Sequence, residues 1–508
     1  MGYVLLWIEQ IVTTLLLVAT LVACFSRLQR PWSRLALSLL VALVPLIVYS
    51  LLILGLGYLR FNKLILIGVF YPLVALMACY AIGVVWILVA GLRRRRDDST
   101  ETVAAAWPRG KLALMMCCAG GLHMMTWWNL DLAAKQQLAS LKTEAGTLGL
   151  SLAPARVPDR DNAALLYDQT YEALDQQSWS EVYRDKWDQW TDSGAPEVKP
   201  GDPELAVFLR EQAPALTLLR QAGRKPGCHF GRDYSYLSID LLLPELAKLR
   251  GAARLLALDA RYHAAQGDMV TALADVDALF SMVEHVSSDP LLISALVAVA
   301  IDAVATATLE DVLSAERNLE DGKRITAGQL QSIHLDGSLS FRRIFSRSLR
   351  SELACALNCF HQICTGDHDS LTEILGKGVQ PYPLVPPLQS VYRLFMARTD
   401  VESYRAMMNE LSQMAAKPYF EVREQWDNFE NEFSSKPTGL LTAMLLPALP
   451  QAAKMGAQGD AQYQTARLAL AAARYRAENG DLPKNLDALA PNYIPIPVSY
   501  THLRAHET

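Results

Sequence analysis

Apolar residues in the first 130 positions form four long runs separated by short polar loops. The hydrocarbon core of a bilayer is about 30 Å thick, and a helix of about 20 apolar residues spans it. The four runs approximate this length and extend near residues 3–25, 35–59, 64–92 and 112–130. The pattern predicts a multi-pass transmembrane block over residues 1–130.

After this block, apolar residues recur at spacings of three and four, and alternating runs are rare. This periodicity predicts an all-α fold, with breaks at Gly267, Pro290, Gly366, the proline cluster at 381–387 and Gly480. The predicted helices include Pro203 to Gln221, Ile239 to Gln266, Met269 to Val286, Pro290 to Ala315, Ser338 to Cys364, Pro387 to Ala416 and Pro437 to Glu478.

The transition from the membrane block to the large helical domain is predicted over residues 131–160. Asp131 to Leu148 reads as a polar helical stalk. Pro154 and Pro158 fix the backbone and remove donors, which favours a linker at the end of the stalk. The sequence then divides into a helical ectodomain at 161–436 and a C-terminal helix and its following segment at 437–497.

Two helical features point to the packing of the domain. Small residues flank Gly267, a pattern that resembles a tetratricopeptide-type hairpin, although one copy fits an ordinary antiparallel helix pair equally well. Pro290 to Ile301 is continuously apolar but only about 12 residues long before Asp302, which is too short to span a membrane. We therefore expect a buried helix at the centre of the domain.

Loop charges predict the orientation, because Arg and Lys in short loops stay on the cytoplasmic side. The first and third loops are basic, whereas the second has only Arg60 and Lys63. These charges place the large domain outside the cytoplasm, which in a Gram-negative bacterium is the periplasm. Gly120 and Gly121 dilute the fourth run, and without that crossing the domain would be cytoplasmic.

The net charge of −5 hides two unlike parts. The first 130 residues have 11 Lys and Arg against 4 Asp and Glu, and the remainder has 36 against 48. An acidic domain repels a phosphate backbone, so we expect no nucleic-acid partner. The chain also lacks a G-x-S-x-G elbow, an H-E-x-x-H pair, a P-loop and a dinucleotide fingerprint, and we expect no cofactor.

Asp259, His263 and Glu284 are the candidate catalytic residues. Asp259 and His263 share one helix face, and Glu284 lies on the helix expected to return past them. A carboxylate and histidine pocket between the helices could support acid–base chemistry. The alternative is that these side chains are solvated or form a local polar pair.

Cysteine and histidine cluster between residues 355 and 364. Cys355, Cys359, His361 and Cys364 could provide metal ligands, but structural zinc sites usually use closely spaced cysteines on turns. Cys359 follows Cys355 by four positions on a predicted helix, where cysteine behaves as a small apolar residue. A disulfide involving Cys364 is another interpretation.

The segment ARYRAENGDLPKNLDALAPNYIPIP carries a resemblance to known proteins. Residues 462–497 resemble the helix-to-head segment of type II secretion major pseudopilins. Together with DNAALLYDQTYEAL and the helices at 244–315, the segment is similar to uncharacterised bacterial membrane-anchored proteins with a helical ectodomain. These relatives have one anchor helix before the domain, which implies that the fourth apolar run spans the membrane.

The last eleven residues, 498–508, resemble a translated sequencing adaptor rather than protein, and the alternative is a genuine polar tail. We exclude them from the interpretation of the fold.

These observations predict a multi-pass protein of the bacterial inner membrane. Its partners are expected to be the lipid bilayer and envelope proteins, and its extracytoplasmic helical domain is expected to serve protein interaction or envelope-complex assembly. One alternative is an envelope hydrolase with an interhelical acid–base cleft. Another is a membrane sensor or transporter accessory.

Overall fold

A computed structural model describes residues 128–494, with gaps at 130, 177–185, 188, 192–201, 239–240, 242, 317–323, 336, 338, 366–391, 395, 436–438 and 447–448. The predicted membrane helices near 3–25, 35–59, 64–92 and 112–130 lie outside these residues, apart from positions 128 and 129. The terminal segment 498–508 also lies outside them. About 80% of the described part is helical and it contains no β-strand, so the all-α prediction is confirmed.

Thirteen helices of the described residues position the features discussed below. They are α1 (131–152), α2 (Ala163–Gln176), α3 (Pro203–Glu211), α4 (Ala213–Gly223), α5 (Pro244–Gln266), α6 (Met269–Ser287), α7 (Leu292–Ala315), α8 (Ala327–Gln331), α9 (Phe341–Thr365), α10 (Ala397–Ala415), α11 (Tyr419–Ser435), α12 (Leu440–Leu445) and α13 (Leu449–Asn479).

Glycine ends two helices where the sequence predicts it. α5 ends at Gly267, which adopts a φ of 82° that a side chain with a Cβ disfavours. Asp268 then accepts a hydrogen bond from the Thr271 amide and begins α6. The predicted hairpin is therefore present, and α13 ends in the same way at Gly480, with a φ of 83°.

Two predicted helices are each divided in the structure. The segment from Pro203 to Gln221 breaks at Gln212 into α3 and α4, and Pro214 lies at the start of α4. Proline fits the first turn of a helix but not its interior, because it lacks an N–H donor. The C-terminal helix is likewise preceded by the separate α12.

Helix α11 is not among the predicted helices, and neither is the short α8. The buried residues of α11 are Val422, Trp426 and Phe429, at spacings of four and three. The charged residues between them, Arg423, Glu424 and Asp427, obscure this narrow apolar stripe in the sequence, although it is sufficient to pack the helix onto α10 and α13.

The centre of the domain is α7, which packs against α5, α6, α9 and α13. The predicted helix from Pro290 to Ala315 is confirmed, since α7 runs from Leu292 to Ala315 and continues past Asp302, where the apolar run ends. Among the described helices, α7 is the one long and apolar enough to cross a membrane, with a mean hydropathy of 2.1, and 61% of that apolar stretch is buried by the surrounding helices. The expected central position is confirmed.

The helix predicted as a stalk, α1, packs along the domain. Its residues Leu138, Leu141 and Ala145 are buried. A Cβ at Gly149 would lie only 2.1 Å from the carbonyl oxygen of Tyr234, so glycine is required for this close approach. The polar residues that suggested a free stalk account only for the exposed face of α1.

Candidate functional site

Asp259 lies in a buried ionic cluster formed by three helices. Arg220 on α4 binds Asp275 on α6 through two hydrogen bonds of 2.6 and 3.0 Å, and it also binds Asp259 on α5. Both carboxylates are almost fully buried, at 2% and 0% exposure. A planar guanidinium suits this arrangement because its donors form a fixed fork.

The electrostatics of the cluster are those of one cation between two acids. Burial raises the pKa of Asp275 well above its ordinary value, against the opposing hydrogen bonds from Arg220. Burial disfavours the charge of Arg220, but the two carboxylates outweigh this effect and raise its pKa. The guanidinium therefore stays charged and compensates the buried acids.

The structure brings His263 close to Asp259, as the sequence predicted. Its Nε2 atom lies 3.6 Å from Asp259 Oδ1, and its Nδ1 atom lies 3.1 Å from Asp268 Oδ2. The histidine ring thus bridges the end of α5 and the start of α6. Its side chain is 30% exposed, so it lies at the solvent side of the cluster.

Glu284 does not join these residues. It follows Asp275 by nine positions on α6, which corresponds to about 13 Å along the helix axis. Its neighbour His285 is buried instead, with Nδ1 2.9 Å from the Tyr167 hydroxyl and Nε2 3.0 Å from the Lys225 carbonyl oxygen. The hairpin therefore assembles two of the three candidate catalytic residues and places the third elsewhere.

The chemistry available to the cluster follows from these contacts. To act as a general base, Asp259 would need its carboxylate within reach of a substrate proton. That carboxylate is buried and already bound by Arg220. The arrangement is suited to joining α4, α5 and α6. The sequence offers one signal for Asp275, since it and Asp277 interrupt the otherwise apolar segment ALADVDALF.

The cysteine candidates lie on one helix as buried thiols. Within the described residues, none of Cys228, Cys355, Cys359 and Cys364 forms a disulfide, so the disulfide considered for Cys364 is not formed. Burial raises the pKa of the Cys364 thiol to about 12, so it remains neutral and poorly suited to metal binding. His361 directs Nδ1 toward the carbonyl oxygen of Leu138, at 3.4 Å. No group of three potential metal ligands converges within the described residues.

A second buried network was not anticipated from the sequence. Asp289, 1% exposed, precedes α7 and accepts hydrogen bonds from Arg232 Nε at 3.0 Å, the Tyr234 hydroxyl at 2.9 Å and the Ser294 hydroxyl at 2.5 Å. Arg347 on α9 donates to the carbonyl oxygen of Ser287 at the end of α6, at 2.6 Å. This network fastens the loop after α4 to the turn between α6 and α7.

Comparison of the chain with models of protein families, with curated proteins and with solved structures gives no match.

Proposed function

We propose that the protein is a multi-pass protein of the bacterial inner membrane that displays its helical domain outside the cytoplasm for interaction with envelope proteins. The observation that carries this proposal is the attachment of α1. In the sequence this helix begins directly after the fourth apolar run, and its buried residues Leu138, Leu141 and Ala145 pack it onto the domain.

Ion pairs reinforce the attachment of α1 to the domain. Asp131, at its first turn, lies 2.8 Å from Arg393, which is itself 5% exposed. Arg393 also donates to the carbonyl oxygen of Cys364 at the end of α9, and Arg405 on α10 binds Glu144. Because the buried Asp131–Arg393 pair is costly to break, it favours one fixed orientation of α1 on the domain.

Alkaline phosphatase fusions test the fourth crossing. The enzyme requires disulfides, which form in the periplasm and not in the cytoplasm. We expect a fusion after Lys111 to be inactive and a fusion after Arg160 to be active. The fourth run lies between the two fusion sites, so its crossing places them on opposite sides of the membrane. A stable but inactive fusion after Arg160 would contradict the proposed placement.

Cysteine labelling of the full-length chain provides the matched control. Val270 is 64% exposed on α6, whereas Ser99 lies in the third loop, which is predicted to be cytoplasmic. A membrane-impermeant maleimide added to intact cells should label Val270→Cys and spare Ser99→Cys. The reverse pattern would place the domain in the cytoplasm.

The interaction role is supported by the segment after α13. It turns back so that the Tyr493 hydroxyl donates to Glu478 at 2.6 Å, while Leu482 and Leu486 remain 61% and 39% exposed. Residues 462–497 are also the part that resembles the helix-to-head segment of pseudopilins. This turn presents apolar side chains on a fixed support.

Photocrosslinking tests whether this turn contacts another envelope protein. A photoreactive residue at Leu482 in living cells should give a discrete adduct that the same residue at Val270 does not give, since Val270 has comparable exposure on a different surface. Identical adduct patterns at the two positions, or none at Leu482, would count against an interaction at this turn.

A further inference from the structure

The central helix α7 carries an acidic residue in an environment that offers it no hydrogen bond. Asp302 is 0% exposed, and neither of its carboxylate oxygens has a partner. Thr306, one turn further along α7, has a buried hydroxyl that also lacks a partner. An unpaired carboxylate in such a position is costly when ionised.

The helix that passes this residue is α13, which approaches α7 closely. A Cβ on Gly459 would lie 2.9 Å from the Val299 side chain and 3.1 Å from Phe341. Val299 precedes Asp302 by three positions, so both project from the same side of α7. Asp302 therefore lies at the crossing of the two helices, beside the residue that follows Gly459.

That residue, Asp460, is a carboxylate with a different role. It accepts hydrogen bonds from the backbone amides of Phe341 and Arg342, at 2.6 and 3.3 Å, and so caps α9. The positive end of a helix favours a negative charge at this position. At this crossing, the helix end therefore stabilises the Asp460 carboxylate as an anion, whereas no hydrogen bond stabilises an ionised Asp302.

The charged surroundings of Asp302 reinforce this difference. Burial, and secondarily the Asp460 carboxylate on α13, raise the pKa of Asp302 to about 8. Helix α9 contributes its amino end to this crossing, and the backbone amides there already donate to Asp460. No charged group on α5 or α6 contributes to the shift. Asp302 is therefore neutral at pH 7 while α13 is docked.

We propose that Asp302 is a proton-binding site that couples protonation to the docking of α13 on α7. With the proton bound, the neutral acid remains in the dry crossing. When the proton leaves, two carboxylates face each other across the contact, and separation of α13 allows water to hydrate Asp302. Docking of α13 thus takes up one proton.

The direction of the pH dependence follows from linkage. Because Asp302 binds its proton more tightly in the docked state than when hydrated, docking is strongest at acidic pH. It weakens as the pH rises from the ordinary carboxyl range towards about 8. Release of one proton corresponds to a tenfold fall in the docking constant per pH unit. Above a pH of about 8, Asp302 is ionised in both states and the docking constant no longer depends on its protonation.

Hydrogen–deuterium exchange of the detergent-solubilised full chain at pH 6, 7 and 8 tests the proposal. After correction for intrinsic exchange, protection in α13 should fall by about tenfold per pH unit, while protection in the α5–α6 hairpin falls much less. Asp302→Asn should remove the pH dependence in α13. Asp311→Asn, an exposed position on α7, should retain it.

Two results would overturn the proposal. Equal loss of protection in α13 and in the hairpin would mean that Asp302 affects only global unfolding, and constant protection in α13 would mean that docking binds no proton. If Asp302→Asn fails to fold, the exchange profile of the unaltered chain still distinguishes these outcomes.

Discussion

Replacement of Arg220 by Met is expected to destabilise the domain by about 3–5 kcal/mol, because it leaves Asp259 and Asp275 buried without their cation. The methionine fills much of the same volume, so loss of packing contributes little. The free energy of unfolding, measured by urea denaturation of the detergent-solubilised chain with helicity as the signal, provides the check.

Two further variants separate charge from packing in this cluster. Arg210→Met, at an exposed position of α3, should change stability by no more than about 0.5 kcal/mol. Adding Asp259→Asn and Asp275→Asn to Arg220→Met should recover a large part of the loss, because the uncompensated acids are removed. A loss below about 1 kcal/mol for Arg220→Met would show that the cluster is not an important source of stability.

Replacement of Asp400 by Leu is expected to cost on the order of 3 kcal/mol, since several buried donors lose their acceptor. Asp400 on α10, 1% exposed, accepts hydrogen bonds from the Tyr392 hydroxyl at 2.7 Å and from the amides of Leu441 and Thr442 at 2.9 and 3.1 Å. It thereby caps α12 and joins it to α10. Hydrogen exchange should rise most in α12.

The control for this prediction lies one half-turn away on α10. Glu402 is exposed and pairs with Arg398 on the same helix, so Glu402→Leu should alter stability by about 0.5 kcal/mol or less. Equal effects of the two substitutions would mean that the Asp400 hydrogen bonds contribute no more than a surface ion pair.

The sequence was a good guide to the helices because the relevant signals are local. Gly267 and Gly480 end helices through their own backbone freedom, and the apolar spacing of α5 to α7 is visible within each segment. Prediction was poorer where a local signal was weak, as in α11, or where proline allowed two outcomes, as at Pro214.

The candidate site was less predictable because its residues acquire their properties from distant partners. Asp259 and His263 were identified from their spacing on α5, but the cation that compensates Asp259 comes from α4. The hairpin is expected to return Glu284 on α6 past Asp259 and His263 on α5. The structure instead places Asp275 beside Asp259, and Glu284 lies nine positions further along α6. The cysteines became buried thiols because their helix packs into the core.

The sequence alone determined the helical composition of this protein, its principal helix breaks and the long apolar runs that predict a membrane location, because these depend on neighbouring residues. The tertiary structure decided which charges are compensated and which are not. Arg393 donates a hydrogen bond to Asp131, which is 262 positions away in the chain. Asp302 has no hydrogen-bond donor, and the charged group near it is the carboxylate of Asp460. Such differences arise from burial and from the packing of distant segments, and neither is encoded in local spacing.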